Sequence, residues 1–228
     1  MSAPPLGVVL AGGRSRRFGS DKRAAVLEGH ALLERATRTL RAVTPHVVVS
    51  VGADDPSARE DTSDGPGPGG AGLPRVLDPL PDVGPLGGLL AGLRDAERRG
   101  LSGVLVLAVD LPLVEPAHLS RLQPAGSDAP QAILASAADG TRQPLCGWYD
   151  ARVRSGLQTW LAGGGRAVLA FVETLAPDWV VVDDRDGVSP LLNVNTPEDL
   201  DRAHRARGQR DPEPRAPRID PSRRVAPP

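Results

Sequence analysis

A single cysteine, Cys146, in 228 residues excludes an internal disulfide and a cysteine-rich zinc site. Aromatic residues are scarce at 3%, so the 40% of hydrophobic residues must fill a core with Leu, Val and Ala. Neither sign of charge prevails: 27 Lys and Arg against 28 Asp and Glu leave a net charge of −1. That balance lacks the electrostatic footprint of a nucleic-acid binder, so any positive potential is local. No apolar run reaches the roughly 18 residues of a membrane span. The opening Met-Ser-Ala-Pro-Pro lacks the charged-then-apolar order of a signal peptide. A soluble, cytoplasmic protein with no membrane partner is expected. His30, His46, His118 and His204 show no ligand-like spacing and read as ordinary surface residues. Cys146 reads as a small buried residue.

What is present is concentrated in residues 8–22, Val-Val-Leu-Ala-Gly-Gly-Arg-Ser-Arg-Arg-Phe-Gly-Ser-Asp-Lys. An apolar strand runs straight into a glycine turn, then three arginines, a further glycine and a lysine. Gly12 and Gly13 permit positive φ and close approach, so successive N–H groups can point at one anion. Arg14, Arg16, Arg17 and Lys22 carry the sign of charge that a polyphosphate needs. Within this stretch there is neither a G-x-x-x-x-G-K-(S/T) loop nor a G-x-G-x-x-G turn.

Around it, strands and helices alternate. Residues 6–10 read as a buried strand and 47–51 as a β-branched one. Leu32, Leu33, Ala36, Leu40 and Val43 predict a helix over 30–42. Residues 75–77 form a short strand, and Leu86, Leu89, Leu90 and Leu93 set a helix over 86–99. The unbroken apolar run 103–109 marks a strand buried on both faces of a parallel sheet. This alternation predicts an α/β fold, a single doubly wound, mostly parallel sheet with helices on both faces. Further on, strands are expected at 131–136 and 144–149 around Asp139-Gly140. Helices follow at 151–161 and 166–175, then a strand at 179–182. Thr196-Pro-Glu-Asp199 opens a last helix ending by Arg207: Thr caps, Pro sits first and acids fill the first turn. The expected organisation is a tail at 1–5, one domain at 6–207 and a disordered tail at 208–228. A Pro/Gly-rich stretch at 53–74, with little that could pack, interrupts the domain as a mobile surface loop.

Ligands of open α/β sheets sit beyond the carboxyl ends of the strands. The Gly12-Gly13 loop, Asp78 and Asp110 take such positions. Asp110 follows a buried strand and precedes Pro112, which stiffens its turn. A strand-end aspartate taken alone is more often a turn residue. Beside a polyphosphate loop, its carboxylate suits Mg²⁺, which usually takes one or two carboxylates plus substrate phosphates. Asn193 and Asn195 alternate around Val194; their carbonyls could ligate Mg²⁺ or meet phosphate, and turn chemistry explains them equally well. Gly87 and Gly88, at a helix start, favour close backbone approach to a ligand.

Residues 10–22 match the L-A-G-G-x-S-x-R-(M/F)-G-x-D-K signature of the MobA-like nucleotidyltransferases, the molybdenum cofactor guanylyltransferases and their relatives, and the chain resembles that family. Val109-Asp-Leu-Pro112 resembles its C/V-D-x-P segment, and 193–199 its N-x-N-T-P-E-(D/E) segment. Asp78, with Gly84-Pro-Leu-Gly-Gly88, resembles its acidic residue plus G-P-L-(A/G)-G. The resemblance covers about 6–207 and implies a Rossmann-like nucleotidyltransferase fold. It also implies transfer of GMP from Mg-GTP to the terminal phosphate of molybdopterin, with release of pyrophosphate. Asp110 and Asn195 would then ligate Mg²⁺; Lys22, Arg17 and Asp110 would be catalytic. Leu10, Ala11, Gly12, Gly13, Lys22, Ser50, Asp78 and Asp110 would bind the nucleotide. Ser50 stands where some relatives carry Asn, which leaves the base contacts open. Gln143-Pro-Leu-Cys146 and Gly163-Gly-Gly-Arg166 resemble acceptor-side segments. Implied partners are GTP, molybdopterin, and the upstream cofactor-synthesis and target molybdoenzyme proteins. Two alternatives stand: a sister transferase using CTP or another phosphorylated acceptor, and a non-catalytic nucleotide-binding protein on the same fold. Loss of Lys22 or Asp110 would mark the latter, and both are present.

Overall fold

Alternate residues of β1 (Leu6–Leu10) serve two separate cores. Val9 joins one, and Leu6, Val8 and Leu10 join the other. In β6 (Gly103–Ala108), Leu105 and Leu107 likewise oppose Val104 and Val106. Neither face of these strands meets water, which is why their sequences are continuously apolar. The structure, a computed structural model, describes residues 3–11, 22–52, 73–80, 83–126, 128–184 and 187–208.

β1 pairs in parallel with β4 (Val47–Val51) on one side and β6 on the other, and β4 continues to β5 (Arg75–Leu77). Beyond β6 lies β8 (Arg142–Asp150), antiparallel to it, then β7 (Ala132–Ala137) and β9 (Asp178–Val182). The order β5-β4-β1-β6-β8-β7-β9 gives one sheet in which β8 alone runs against the rest. The expected α/β fold with a mostly parallel sheet is borne out. α1 (Leu32–Arg41), α3 (Pro116–Arg121) and α6 (Pro197–Gly208) pack on the Val9 side through Leu32, Leu40, Leu119 and Ala203. α2 (Pro85–Arg98), α4 (Val153–Ala162) and α5 (Val168–Glu173) pack on the other through Leu90, Leu157 and Phe171. Among the described residues no helix is long and apolar enough to cross a membrane.

Several local expectations change. His30 and Ala31 do not begin the first helix; as β3 they pair with β2 (Val26–Leu27) in a small hairpin. Glu28 (φ 52°) and Gly29 (φ 79°) both take positive φ at its tip, the backbone a tight hairpin requires. The short α3 escaped the periodicity reading because six residues hold too few apolar positions to repeat. A capping box starts it, in which the Glu115 N–H donates to His118 Nδ1 at 3.1 Å. His118 is therefore a buried capping residue and not a surface histidine. Cys146 is fully buried as expected, and burial pushes its thiol up to about 12.

The expected loop and the N-terminal tail are each anchored where they join the domain. Of the loop at 53–74, residues 53–72 lie outside the described residues, but Leu73 is 4% exposed within the core. Next to it, the Pro74 carbonyl accepts a 3.0 Å bond from the Val49 N–H. In the expected tail at 1–5, the Pro5 carbonyl accepts a 2.6 Å bond from Thr44 Oγ1. Of the tail at 208–228, Gly208 closes α6 and the remainder lies outside the described residues.

Candidate functional site

The parallel strands end level with one another. Ala11 N–H donates to Ser50 O at 3.2 Å, Val109 N–H to Leu10 O at 3.2 Å, and Asp78 N–H to Val51 O at 3.0 Å. The connections leave β1 toward β4 on one side and reach β6 on the other, so a crevice opens where the strand order reverses. Leu10, Ala11, Ser50, Asp78 and Asp110 all lie along this edge. Gly12, Gly13, Arg14, Arg16 and Arg17 lie outside the described residues.

Lys22 opens a single 3₁₀ turn, Lys22–Ala24, and its side chain returns to the crevice. Its Nζ donates to Asp110 Oδ2 at 3.1 Å and to Asn195 Oδ1 at 2.7 Å. The ammonium is largely shielded, with the lysine 9% exposed. One cation thus joins three residues that are up to 173 positions apart in the chain. The backbone enforces the meeting. Val194 N–H donates to the Asp110 carbonyl at 2.8 Å, which docks the Asn193–Asn195 segment on the end of β6. Asn195 is held from its other side, because its N–H and that of Thr196 donate to Asp199 Oδ2 at 3.0 and 3.1 Å. The Asp199 N–H donates back to Thr196 Oγ1 at 3.2 Å, completing the cap that starts α6. The Asn195 N–H, with Thr196 and Arg202 assisting, holds the Asp199 carboxyl below the usual carboxylate range.

Asp110 and Asn195 offer hard oxygen donors to one cation, the donor type Mg²⁺ takes. No group of three or more His, Cys, Asp or Glu that could hold a metal occurs among the described residues. Two protein oxygens are too few for a metal on their own, so phosphate oxygens would complete the shell.

A second group surrounds the start of α2. The Asp78 carboxylate lies against Gly87, where any Cβ would collide with it. Burial pushes Asp78 above the usual carboxylate range, opposed by the Leu80 N–H that donates to its Oδ1 at 2.9 Å. A Cβ on Gly88 would come within 2.5 Å of Ser50 Oγ. The missing side chains of Gly87 and Gly88 thus make room for Asp78 and Ser50. Ser50 is 3% exposed, with its hydroxyl beneath Gly88.

Residues 7–179 match the model of the MobA-like NTP transferase domain. The chain belongs to the MobA-like NTP transferase family. It is 33% identical over 208 residues to the molybdenum cofactor guanylyltransferase of Rhizobium meliloti (strain 1021), covering 87% of this chain and 90% of that one. It is 35% identical over 205 residues to that of Xanthomonas euvesicatoria pv. vesicatoria (strain 85-10), covering 89% and 95%. Among solved structures it is similar to the molybdopterin-guanine dinucleotide biosynthesis protein A of Archaeoglobus fulgidus. That likeness has a TM-score of 0.68 and 25% identity, over 90% of this chain and all of that one.

In this MobA-like transferase one of the two acceptor-side segments reaches the site. Gln143, 8% exposed at the start of β8, donates from Nε2 to Asn193 Oδ1 at 3.3 Å. It reaches that position because the β7–β8 register shifts between Leu134 and Ala135. The bulged Pro144 carbonyl is satisfied by the buried Tyr149 hydroxyl at 2.6 Å. A Gln-Pro pair inside a strand was the available signal, since proline cannot continue a ladder. The other acceptor-side candidate, Gly163-Gly-Gly-Arg166, caps α4, and Arg166 donates to the Leu161 carbonyl at 3.1 Å. It makes no described contact with the Lys22 cluster.

Proposed function

We propose that this protein is a molybdenum cofactor guanylyltransferase, moving GMP from GTP with Mg²⁺ to the phosphate of molybdopterin and releasing pyrophosphate. The observation that carries the reading is the meeting of Lys22, Asp110 and Asn195 on one point at the crevice of a MobA-like fold. The relatives' names supply the substrate pair, and the match along most of the chain brings it here.

The reaction asks mainly for position and charge. The acceptor phosphate is already an anion and needs no strong base, but it must attack the α-phosphorus in line. Two anions repel, so charge neutralisation is the main catalytic contribution. Asp110 and Asn195 hold Mg²⁺, which when bound supplies positive charge at the α-phosphate. Lys22 and Arg17 balance charge on the departing pyrophosphate, with the Gly12 and Gly13 N–H groups beneath it. Leu10, Ala11 and Asp78 form the nucleotide wall, and Ser50 supports that wall from below. One transferase domain at 6–207 does this work, in the cytoplasm, where upstream cofactor-synthesis proteins deliver the acceptor and target molybdoenzymes receive the product.

The test is to incubate purified protein with molybdopterin, Mg²⁺ and each nucleoside triphosphate, reading pyrophosphate release and product mass. GTP should give pyrophosphate and a GMP-linked pterin dinucleotide. Turnover with CTP but not GTP, or with no triphosphate at all, would overturn the reading.

A further inference from the structure

We propose that Lys22 is the resident cation of the nucleotide-free site, so that a divalent metal enters only with nucleotide. The inference rests on the reading of Asp110 and Asn195 as metal ligands. Its starting point is that one oxygen of each candidate ligand, Asp110 Oδ2 and Asn195 Oδ1, is already engaged by one ammonium, at 3.1 and 2.7 Å. Lys22 is 9% exposed, so this charge has little water to fall back on and depends on those oxygens. A divalent ion seeking the same two oxygens meets a like charge in the space it needs. It enters only if the ammonium leaves, and the ammonium leaves only for another anion. A triphosphate in the crevice is that anion: it receives the lysine and at the same time contributes oxygens to the metal.

The identity of the side chain fits the task. Lys22 is the only lysine in the chain; the other 26 basic residues are arginines. A guanidinium would grip the Asp110 carboxylate in a fixed fork, whereas an ammonium is a compact point charge on a flexible stem that exchanges partners readily. The coupling is reciprocal: nucleotide raises metal affinity and metal raises nucleotide affinity by the same factor. Hydrated metal alone leaves the site closed, which keeps an unpaired metal–carboxylate centre from forming before the substrate is present.

The single lysine makes the test direct. Mn²⁺ binding is followed by the enhancement of water-proton relaxation on protein titration, with and without GTP and against a Mn-GTP control, in the full chain and in Lys22→Met and Lys22→Gln. The wild type alone should bind Mn²⁺ at least tenfold more weakly than either variant alone, and GTP should raise the wild-type affinity at least tenfold. In parallel, ¹³Cε-lysine labelling yields one side-chain resonance, which Mg²⁺ alone should leave in place and Mg-GTP should shift. Equal Mn²⁺ affinity in wild type and variants, or a lysine resonance that moves with Mg²⁺ alone, overturns the proposal while leaving the metal ligands intact. Absence of Mn²⁺ binding in wild type even with GTP overturns the ligand assignment, and the proposal with it. The wild-type resonance decides the matter even if a variant fails to fold.

Discussion

The Asp110 carbonyl accepts a 2.8 Å hydrogen bond from the Val194 N–H, and through this bond two segments 84 residues apart share one site. The bond uses only main-chain groups, so it sets the distance between the Asp110 and Asn195 side chains without consuming either. Lys22 then bridges them. Positions that are remote in sequence thereby become a charge cluster at the reversal of the strand order, where a polyphosphate would lie.

Asp110→Asn separates chemistry from binding. The variant keeps the turn before Pro112 and the bond to Val194, and loses only the charge. The fold and most of the nucleotide affinity should persist, while turnover falls by about 10²-fold or more, as for loss of one strong electrostatic contact to a transition state. Near-normal pyrophosphate release at saturating Mg-GTP would contradict the role given to this carboxylate.

GTP should be preferred over CTP, UTP and ATP. Calorimetry in Mg²⁺ should show at least tenfold tighter binding of GTP, about 1.4 kcal/mol. The reverse preference for CTP would move the protein to a cytidylyl activity.

Asp78→Asn should trade stability for function. Burial raises the Asp78 carboxyl above its ordinary value of 3.8, so a folding cost develops as pH rises past 3.8 and is complete above the folded value. The amide keeps an acceptor for the Leu80 N–H and carries no charge to bury. Thermal melts at neutral pH should show the variant at least as stable as wild type, with its advantage gone below pH 3.8, while GTP affinity drops. A variant that melts lower at neutral pH argues against the burial cost.

Asp199→Asn should act in the opposite sense. The Asp199 carboxyl is held below 3.8, so its contribution is complete above that value and is lost as pH falls through the lower folded value. The amide keeps an acceptor for the Asn195 and Thr196 N–H groups and loses only the charge at the helix N-terminus. That loss should cost about 0.3–1 kcal/mol, a fall of up to about 4 °C in Tm for a chain of this size. The difference from wild type should vanish in strong acid; a gap independent of pH would show that packing and not charge is at stake.

Removing residues 209–228 should leave Tm unchanged, because that Pro/Arg-rich composition offers no apolar surface to bury. Leu73→Ala, at the end of the other Pro/Gly-rich stretch, should cost about 2 kcal/mol or more, since this leucine is buried. Differential scanning calorimetry on the two variants distinguishes the dispensable segment from the anchored one.

Local signals were enough for the strands of the main sheet and the long helices. Apolar runs such as 103–109 can exist only where both faces are covered, and Thr196-Pro-Glu-Asp199 carries its own cap in four letters. Asp110, Asn195 and Lys22 could each be named from the residues around them. What no local pattern contained was their convergence, because a hydrogen bond between Asp110 and Val194 depends on where two chain segments cross and not on what flanks either. The same limit hid the antiparallel entry of β8 between β6 and β7, and with it the arrival of Gln143 beside Asn193. It also hid that Gly88 lies over the Ser50 hydroxyl. Periodicity reports which face of an element is buried; only tertiary packing decides what it is buried against.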